Sequence, residues 1–169
     1  MPDDLPELAF RPIGYVRSPY FEQSGTPIQA NFGELARAEI RVLPSFREGL
    51  RDLDGFSHVW LLTWLDRAKP YELLTEPYRD TVKRGLFATR SPSRPNPIGL
   101  SCTRLIRVEK ESGTLQVAGI DLLDGTPVLD IKPYIPSVDA FPGASSGWFM
   151  SGTSRTHADD RFQADNPKP

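Results

Sequence analysis

A proline-rich segment from 85 to 100 holds two arginines and an asparagine at fixed spacing. Within it, three prolines alternate with polar residues from 92 to 97. Because proline fixes φ and lacks a backbone N–H, we expect a stiff, extended loop outside any central sheet ladder. Such a loop would hold Arg90, Arg94 and Asn96 at set angles, and the planar guanidinium of arginine binds carboxylates and phosphates. A rigid surface linker with incidental arginines is the alternative.

A second segment, from 119 to 136, places aspartates inside apolar runs. Asp124 precedes Gly125, a dipeptide that predicts a hairpin turn. A carboxylate in apolar surroundings needs a hydrogen bond or a charged partner, so Asp121 is a candidate for binding sugar hydroxyls. Alternatively, Asp124 only makes the turn and Asp130 forms a buried ion pair with Lys132.

A third segment, from 55 to 67, is aromatic and apolar. We interpret His58 as a core histidine with a satisfied hydrogen bond rather than as a catalytic base. Trp60 and Trp64 share one face of a strand and are expected to pack in a core or an interface. Asp66 and Arg67 follow this strand, where loops present side chains to ligands.

The composition is that of one globular domain of 169 residues, with 38% hydrophobic and 25% charged residues. The net charge of -2 and the pI of about 5.7 are unlike those of most nucleic-acid binders. The single cysteine, Cys102, excludes an intrachain disulfide and is expected in the core. With two histidines it makes no metal-ligand cluster. Without a signal peptide or a membrane-spanning run, we expect a cytoplasmic protein.

The elements that must position these residues are mostly strands. From 36 to 43 the side chains alternate, with Ala38, Ile40 and Val42 on one face. A two-turn helix is predicted from 46 to 53, with Ser45 as its N-cap and Glu48 completing a capping box. The predicted strands are 10–18, 36–43, 58–65, 100–109, 114–122 and 128–131.

This pattern of short strands with proline- and glycine-rich connections predicts a mainly β fold, either a barrel or a sandwich. No glycine-rich turn between a strand and a helix indicates a Rossmann unit. We divide the chain into a flexible arm at 1–9, a β domain at 10–150 and a polar tail at 151–169. The tail is expected to be frayed or to form a short terminal turn.

Four blocks, taken together, resemble the TrmO/TsaA-like family of S-adenosylmethionine-dependent tRNA-adenosine N6-methyltransferases. They occur in the family's order and cover about residues 10–150. The matching blocks are 13–20 (IGYVRSPY), 55–60 (GFSHVW), 87–99 (FATRS and RPNPIG) and 121–134 (DLLDGTPVLDIKPY).

The resemblance implies a small, barrel-like β domain that binds S-adenosylmethionine without a Rossmann sheet. It also implies a homodimer with the cofactor near the subunit interface. The implied activity is methylation of N6 of a threonylcarbamoyl-modified adenosine next to the anticodon of tRNA. The alternatives are methylation of a small molecule or of another RNA, and a module that binds the cofactor without catalysis.

Family positions carry over residue by residue, and no metal is implied. Asp121, Asp124 or Asp130 would accept hydrogen bonds from N6–H, while Tyr134 or Tyr20 would stack on the target base. Arg94, Asn96 and Lys132 are candidates for contacting the substrate. The implied cofactor-binding residues are Ala30, Asn31, Phe32, Asp66, Arg67, Arg90, Leu100, Asp121, Leu122, Leu123 and Asp124.

Overall fold

The computed structural model describes residues 6–33 and 35–164 and contains a closed antiparallel barrel. The order of strands around the barrel is β1-β2-β7-β6-β3-β8, and a separate pair joins β4 to β5. The predicted mainly β, barrel-like fold is therefore confirmed. The strands are β1 (Gly14–Arg17), β2 (Arg37–Val42), β3 (His58–Trp64), β4 (Leu74–Thr75), β5 (Arg84–Gly85), β6 (Ile98–Glu109), β7 (Thr114–Ala118) and β8 (Pro127–Pro133).

The core lies inside the barrel and follows the alternation of its strands. Ala38, Ile40 and Val42 of β2 all point inward, as predicted, and Val59 and Leu61 of β3 are completely buried. Each fully buried aliphatic side chain contributes roughly 1.5–3 kcal/mol relative to exposure. This packed interior fixes the loops at the ends of the barrel.

Helix is scarce, as predicted, but the predicted capped helix at 46–53 is wrong. A 3-10 helix, Pro44–Leu50, occupies this region, and Leu43 stands at its N-cap without a side-chain hydrogen bond. Pro44 begins the helix before Ser45, so Ser45 lies inside the first turn and cannot cap it. The other short helices are Ala30–Gly33, Leu53–Gly55, Leu86–Ala88 and Gly147–Ser151, all 3-10, and α1 (Pro136–Asp139).

The turn predicted at Asp124 and Gly125 forms, but it does not make a hairpin. Gly125 adopts a φ of 80°, and the amide of Thr126 donates to the carbonyl of Leu123 at 3.2 Å. However, β8 pairs with β1 and β3, whereas β7 pairs with β2 and β6. The segment from 119 to 126 therefore crosses the end of the barrel instead of joining neighbouring strands.

One end of the barrel gathers most of the loops that carry candidate residues. Because neighbouring strands are antiparallel, the segments before β2 and β6 and those after β3 and β7 emerge at the same end. The residues around 30, 66, 90 and 121 are thereby brought together from distant parts of the chain.

The C-terminal segment differs from the frayed tail that we expected. Phe162 is buried, and His157 pairs with Pro27 in an antiparallel bridge. The amide of Ala158 donates to the carbonyl of Thr26 at 2.7 Å. The described part of this segment therefore packs on the domain, because its apolar side chains find partners in loops distant in sequence.

At the other terminus, residues 1–5 of the predicted arm lie outside the described residues, and 6–9 are exposed and irregular. No helix in 6–33 or 35–164 has the length and apolarity needed to cross a membrane. Within the same ranges, His, Cys, Asp and Glu side chains form no cluster of three that could hold a metal ion.

Candidate functional site

A long groove begins at this loop-bearing end and continues along the outer face of β3 and β6. Its volume is about 1760 Å³, larger than the roughly 300–1,000 Å³ of a typical small-molecule site. Ile98 and Arg104 of β6 both line it, so it extends about 20 Å along that strand. The groove therefore has room for a small ligand and for part of a larger one.

Asp121 lies at the loop-bearing end of the groove. The hydroxyl of Ser101, an inward-facing residue of β6, donates to Oδ1 of Asp121 at 2.6 Å. Burial raises the pKa of Asp121 to about 6, against the opposing effects of Ser101, of the backbone amides of Asp121 and Ala30, and of the Arg90 charge. A ligand cation or hydroxyl donor beside this carboxylate would stabilise its ionised form.

The short helix Ala30–Gly33 packs directly against the segment that carries Asp121. At Gly33 a Cβ would lie 2.9 Å from the carbonyl oxygen of Ile120 and 2.8 Å from Pro27. Only a glycine permits this close approach. Ala30, Asn31 and Phe32 consequently line the groove beside Asp121.

Arg90 approaches the same end of the groove from the proline-rich segment. Residues 92–97 of this segment lie outside the sheet ladders, as predicted, whereas Gly85 pairs in β5 and 98–100 begin β6. The Arg90 guanidinium donates to the side-chain carbonyl of Gln29. Arg94 braces this loop from below, since its Nη1 donates to the carbonyl of Thr89 at 3.0 Å. The loop thus presents Arg90 at the same end of the groove as the half-buried Asp121.

Asp66 and Arg67 also line the groove, and Arg67 has a bracing role in addition. Its Nη2 donates to the carbonyl of Asp124 at 2.7 Å and lies 3.1 Å from Oγ1 of Thr126. Within the described structure, Oδ1 of Asp66 is buried without a hydrogen-bond partner. Arg67 therefore holds the 121–126 turn, and its Nε also lies 3.7 Å from Oδ1 of Asp66, so the two side chains form an ion pair.

Several predicted residues are not brought to the groove in the single chain. Asp124 lies outside its lining and binds Arg17 at 3.1 Å and the amide of Ser18 at 3.0 Å. The predicted pair of Asp130 and Lys132 forms at 2.8 Å, but it is exposed rather than buried. The lining residues among the candidates are Ala30, Asn31, Phe32, Asp66, Arg67, Arg90, Arg94, Leu100, Asp121, Leu122, Leu123 and Tyr134, whereas Asp124, Asp130, Lys132, Asn96 and Tyr20 lie outside it.

The far end of the groove is aromatic. The amide of Tyr134 donates to the carbonyl of His58 at 3.0 Å, at the opposite end of β3 from Asp66. The Tyr134 ring also contacts Trp60, with 5.7 Å between ring centroids. His58 and Cys102, both expected in the core, are instead half-buried residues that line the groove from the outer face of the barrel. Tyr134 and Asp121 of one chain therefore do not share one small-ligand position.

Sequence reasoning missed Ser101 and the C-terminal lining residues. Ser101 lies in the predicted strand 100–109. The alternation of side chains along that strand was the signal that could have placed Ser101 on the inner face. Trp148 and Phe149 line the groove together with Arg79. Two adjacent aromatic residues in an otherwise polar segment were the signal that it packs against something.

The charge of the groove differs from that of the whole chain. Five arginines line it against two aspartates among the described residues, although the chain carries a net charge of -2. A concave surface of this kind attracts anions even when the whole protein is acidic. The lining arginines are Arg67, Arg79, Arg90, Arg94 and Arg104, and the aspartates are Asp66 and Asp121.

Comparison with known proteins matches residues 15–140 to the model of the tRNA-methyltransferase O N-terminal domain. A Pyrococcus abyssi protein named "Probable S-adenosyl-L-methionine-binding protein" is 46% identical over 92% of this chain and 85% of its own length. The tRNA (adenine(37)-N6)-methyltransferase of Escherichia coli is 37% identical over 87% of this chain and 66% of its own length.

Solved structures agree with these sequence matches. A crystal structure of TrmO from Pseudomonas aeruginosa superimposes with a TM-score of 0.70 at 43% identity. The match covers 83% of this chain and 62% of that one, so the chain spans less than two thirds of the solved protein. The family match over most of the chain, the similarity of sequence and the shared barrel together place the chain in the tRNA-methyltransferase O family.

Proposed function

We propose that this protein transfers a methyl group from S-adenosylmethionine to N6 of the threonylcarbamoyl-modified adenosine beside the anticodon of tRNA. The observation that carries the proposal is that Asp121 and Arg90 meet at one end of a groove large enough for a cofactor and a nucleotide. Relatives named for S-adenosylmethionine binding and for tRNA (adenine(37)-N6) methylation support both halves of it.

The residues at the loop-bearing end fit the charges of S-adenosylmethionine. Its amino-acid end carries a carboxylate, for which Arg90 offers a guanidinium, and an ammonium, for which Asp121 offers a carboxylate. The raised pKa of Asp121 indicates a carboxylate without a full cationic partner of its own. Asp66, whose side chain is partly exposed at the groove, offers a carboxylate for ribose hydroxyls. Leu100, Leu122 and Phe32 supply apolar surface for the adenine ring.

When bound, S-adenosylmethionine supplies an electrophilic methyl group on a sulfonium, which an attacking nitrogen displaces in line. The protein's task is to hold the two ligands so that the nucleophile faces that methyl group at about 3 Å. Arg90 and Asp121 fix one end of the cofactor, and Arg67 keeps the 121–126 turn in place. The N6 proton can leave after transfer, so His58 is not required as a strong base.

The arginine-lined length of the groove is suited to the tRNA backbone. Arg94 and Arg104 also line it and offer contacts to phosphates. Phe87 projects into solvent beside Arg94, with 76% of its surface exposed. An unpaired anticodon-loop base can stack on such a ring.

We further propose that two copies pair through the Trp64 end of the outer face of β3 and β6, which leaves the Arg104 end of the groove open to tRNA. Trp64 lies opposite Ile98 across these strands, and Leu100 continues the same apolar face. All three side chains are substantially exposed in the single chain. Contiguous exposed apolar surface is typical of subunit interfaces. Since Ile98 and Leu100 also line the groove, pairing there would place the cofactor beside the interface.

The decisive experiment supplies methyl-labelled S-adenosylmethionine and tRNA from a strain deficient in this methylation, and then digests the tRNA to nucleosides. We expect the label on N6 of the modified adenosine, and a much weaker signal for Arg90→Ala. Label in another nucleoside would identify a different RNA target. No cofactor binding by calorimetry at millimolar ligand would end the proposal.

A further inference from the structure

The segment from 147 to 164, here called the strap, contacts three of the regions that carry candidate cofactor residues, those around 30, 67 and 90. It approaches the Ala30–Gly33 helix where the amide of Ile28 donates to the carbonyl of Thr156 at 2.9 Å. It reaches the 66–67 position where the amide of Ala164 donates to the carbonyl of Arg67 at 3.2 Å. The strap therefore joins loops that the barrel alone does not join.

The strap also holds the loop that carries Arg90. The indole Nε1 of Trp148 donates to the carbonyl of Ala88 at 2.8 Å, two residues before Arg90. The Trp148 ring additionally lies near Arg84, whose Cζ is 5.7 Å from the ring centroid. A backbone carbonyl fixed in this way limits how far the Arg90 loop can move.

The Arg79 side chain connects the strap to Phe32 in the Ala30–Gly33 helix. Its guanidinium carbon lies 4.5 Å from the centroid of Phe149 in the strap and 5.7 Å from that of Phe32. Its Nε donates to the carbonyl of Thr153 at 2.5 Å, and the amide of Thr153 donates back to the carbonyl of Arg79 at 2.7 Å. Arg79 thus contacts an aromatic ring on each side and is tied by two hydrogen bonds to the strap.

The backbone of the strap packs tightly against Arg79 at Gly152, and a substitution at Gly152 tests this contact separately. A Cβ on Gly152 would lie 2.7 Å from the carbonyl oxygen of Arg79, so alanine there must displace the strap. At Gly143, in the same C-terminal region, a Cβ would meet nothing within 4 Å. Gly152→Ala is therefore a disruptive substitution, and Gly143→Ala is its matched control.

We propose that Arg79 is a positioning residue. Through Arg79, the docked strap holds the Ala30–Gly33 helix, which carries Phe32, and the Arg90 loop in the positions that bind S-adenosylmethionine. The inference rests on the proposed cofactor site and adds an element that this site needs. Docking of the strap and filling of the groove are then thermodynamically linked, so each favours the other. The hydrophobic core cluster of the described barrel contains no strap residue, so we expect the barrel to stay folded when docking is lost.

The experiment measures S-adenosylmethionine affinity by calorimetry on the full chain and its Arg79→Met, Arg79→Lys, Gly152→Ala and Gly143→Ala variants. Because an arginine–aromatic contact contributes modestly, we expect Arg79→Met and Gly152→Ala to weaken binding by about three- to tenfold. Arg79→Lys, which keeps the charge beside the rings, should recover part of the loss. Gly143→Ala should match the parent protein.

A second measurement separates positioning from general stability. Trypsin cleavage after Arg155, within the strap, should slow when S-adenosylmethionine is added to the parent protein and to Gly143→Ala. In Gly152→Ala the cofactor should protect this site much less, while the thermal midpoint of the barrel stays the same.

The outcomes distinguish the two proposals. A parent protein that binds no S-adenosylmethionine would remove the proposed function, and this inference with it. A parent that binds the cofactor while Arg79→Met and Gly152→Ala bind it within twofold would overturn the inference alone. Cleavage after Arg155 that the cofactor leaves unchanged in the parent protein would also overturn the inference and leave the proposed function standing.

Discussion

The Ser101 hydroxyl donates to the Asp121 carboxylate at 2.6 Å and so connects the inner face of β6 with the candidate cofactor site. This bond favours the ionised form, yet burial still raises the pKa of Asp121 to about 6. Asp121 therefore titrates close to neutral pH, which makes its role measurable by changing pH alone.

We predict that affinity for S-adenosylmethionine falls as the pH is lowered through 6. Protonation of Asp121 removes the charge that faces the ligand ammonium, whereas that ammonium, an α-amino group, stays protonated throughout this range. Calorimetry at pH 7 and pH 5 should show about tenfold weaker binding at the lower pH. Asp121→Asn should bind weakly at both. Equal pH dependence in the variant would assign the effect to another group.

The same titration predicts the pH dependence of folding stability. A carboxyl whose pKa is raised in the folded state binds its proton more tightly there than in the unfolded chain, so stability is lost as pH rises from about 4 to 6. Relative to Asp121→Asn, the parent protein should gain about 2 kcal/mol of unfolding free energy between pH 7 and pH 4. Urea denaturation of both proteins at the two pH values measures this difference.

Arg67 should matter more for stability than an ordinary surface arginine. Arg67→Ala removes the donor to the Asp124 carbonyl and leaves that acceptor unpaired at a cost of about 1–3 kcal/mol. Arg51→Ala, which removes an exposed ion pair with Glu48, should cost less than about 1 kcal/mol. Urea unfolding compares the two, and equal losses would mean that Arg67 does not hold the turn.

How far the sequence predicted the fold depended on whether the determining contacts were local. Alternation within 36–43 correctly predicted which side chains of β2 face inward, because a strand of a closed barrel has one buried face. The hairpin prediction at Asp124 was wrong because the partners of β8 are chosen by barrel closure, which no short motif encodes. Phe162 gave no periodic signal, since it packs on Tyr78, far away in the chain.

Predictions of the candidate site were likewise correct where local sequence determined the position and wrong where barrel closure did. Arg90 of the proline-rich loop and Asp121 were both predicted to bind the cofactor, and both line one end of the groove. Asp130, chosen because it interrupts an apolar run, lies in β8 and forms an exposed ion pair. The presence of a residue in a strand does not show at which end of the barrel its side chain lies.

Phe87 is predicted to contribute to tRNA affinity but not to cofactor affinity. Its ring is held above Arg94 by a short 3-10 turn and is open to solvent. Stacking of a base contributes about 1–3 kcal/mol, so Phe87→Ala should weaken tRNA binding by roughly fivefold to 150-fold. Filter binding measures this effect, and calorimetry with S-adenosylmethionine should show no change. Phe141→Ala, equally exposed but outside the groove lining, is the matched control.

The proposed pairing of two copies predicts a specific effect at Trp64. This side chain is 45% exposed in the single chain and lies outside the groove lining, so a charge there should leave the barrel folded. Light scattering should give the parent protein twice the 18.9 kDa mass of one chain and give Trp64→Glu the single mass. Because Ile98 and Leu100 belong both to this face and to the groove, the monomeric variant should also bind S-adenosylmethionine more weakly. A Trp64→Glu protein that keeps the parent's mass would place the interface elsewhere.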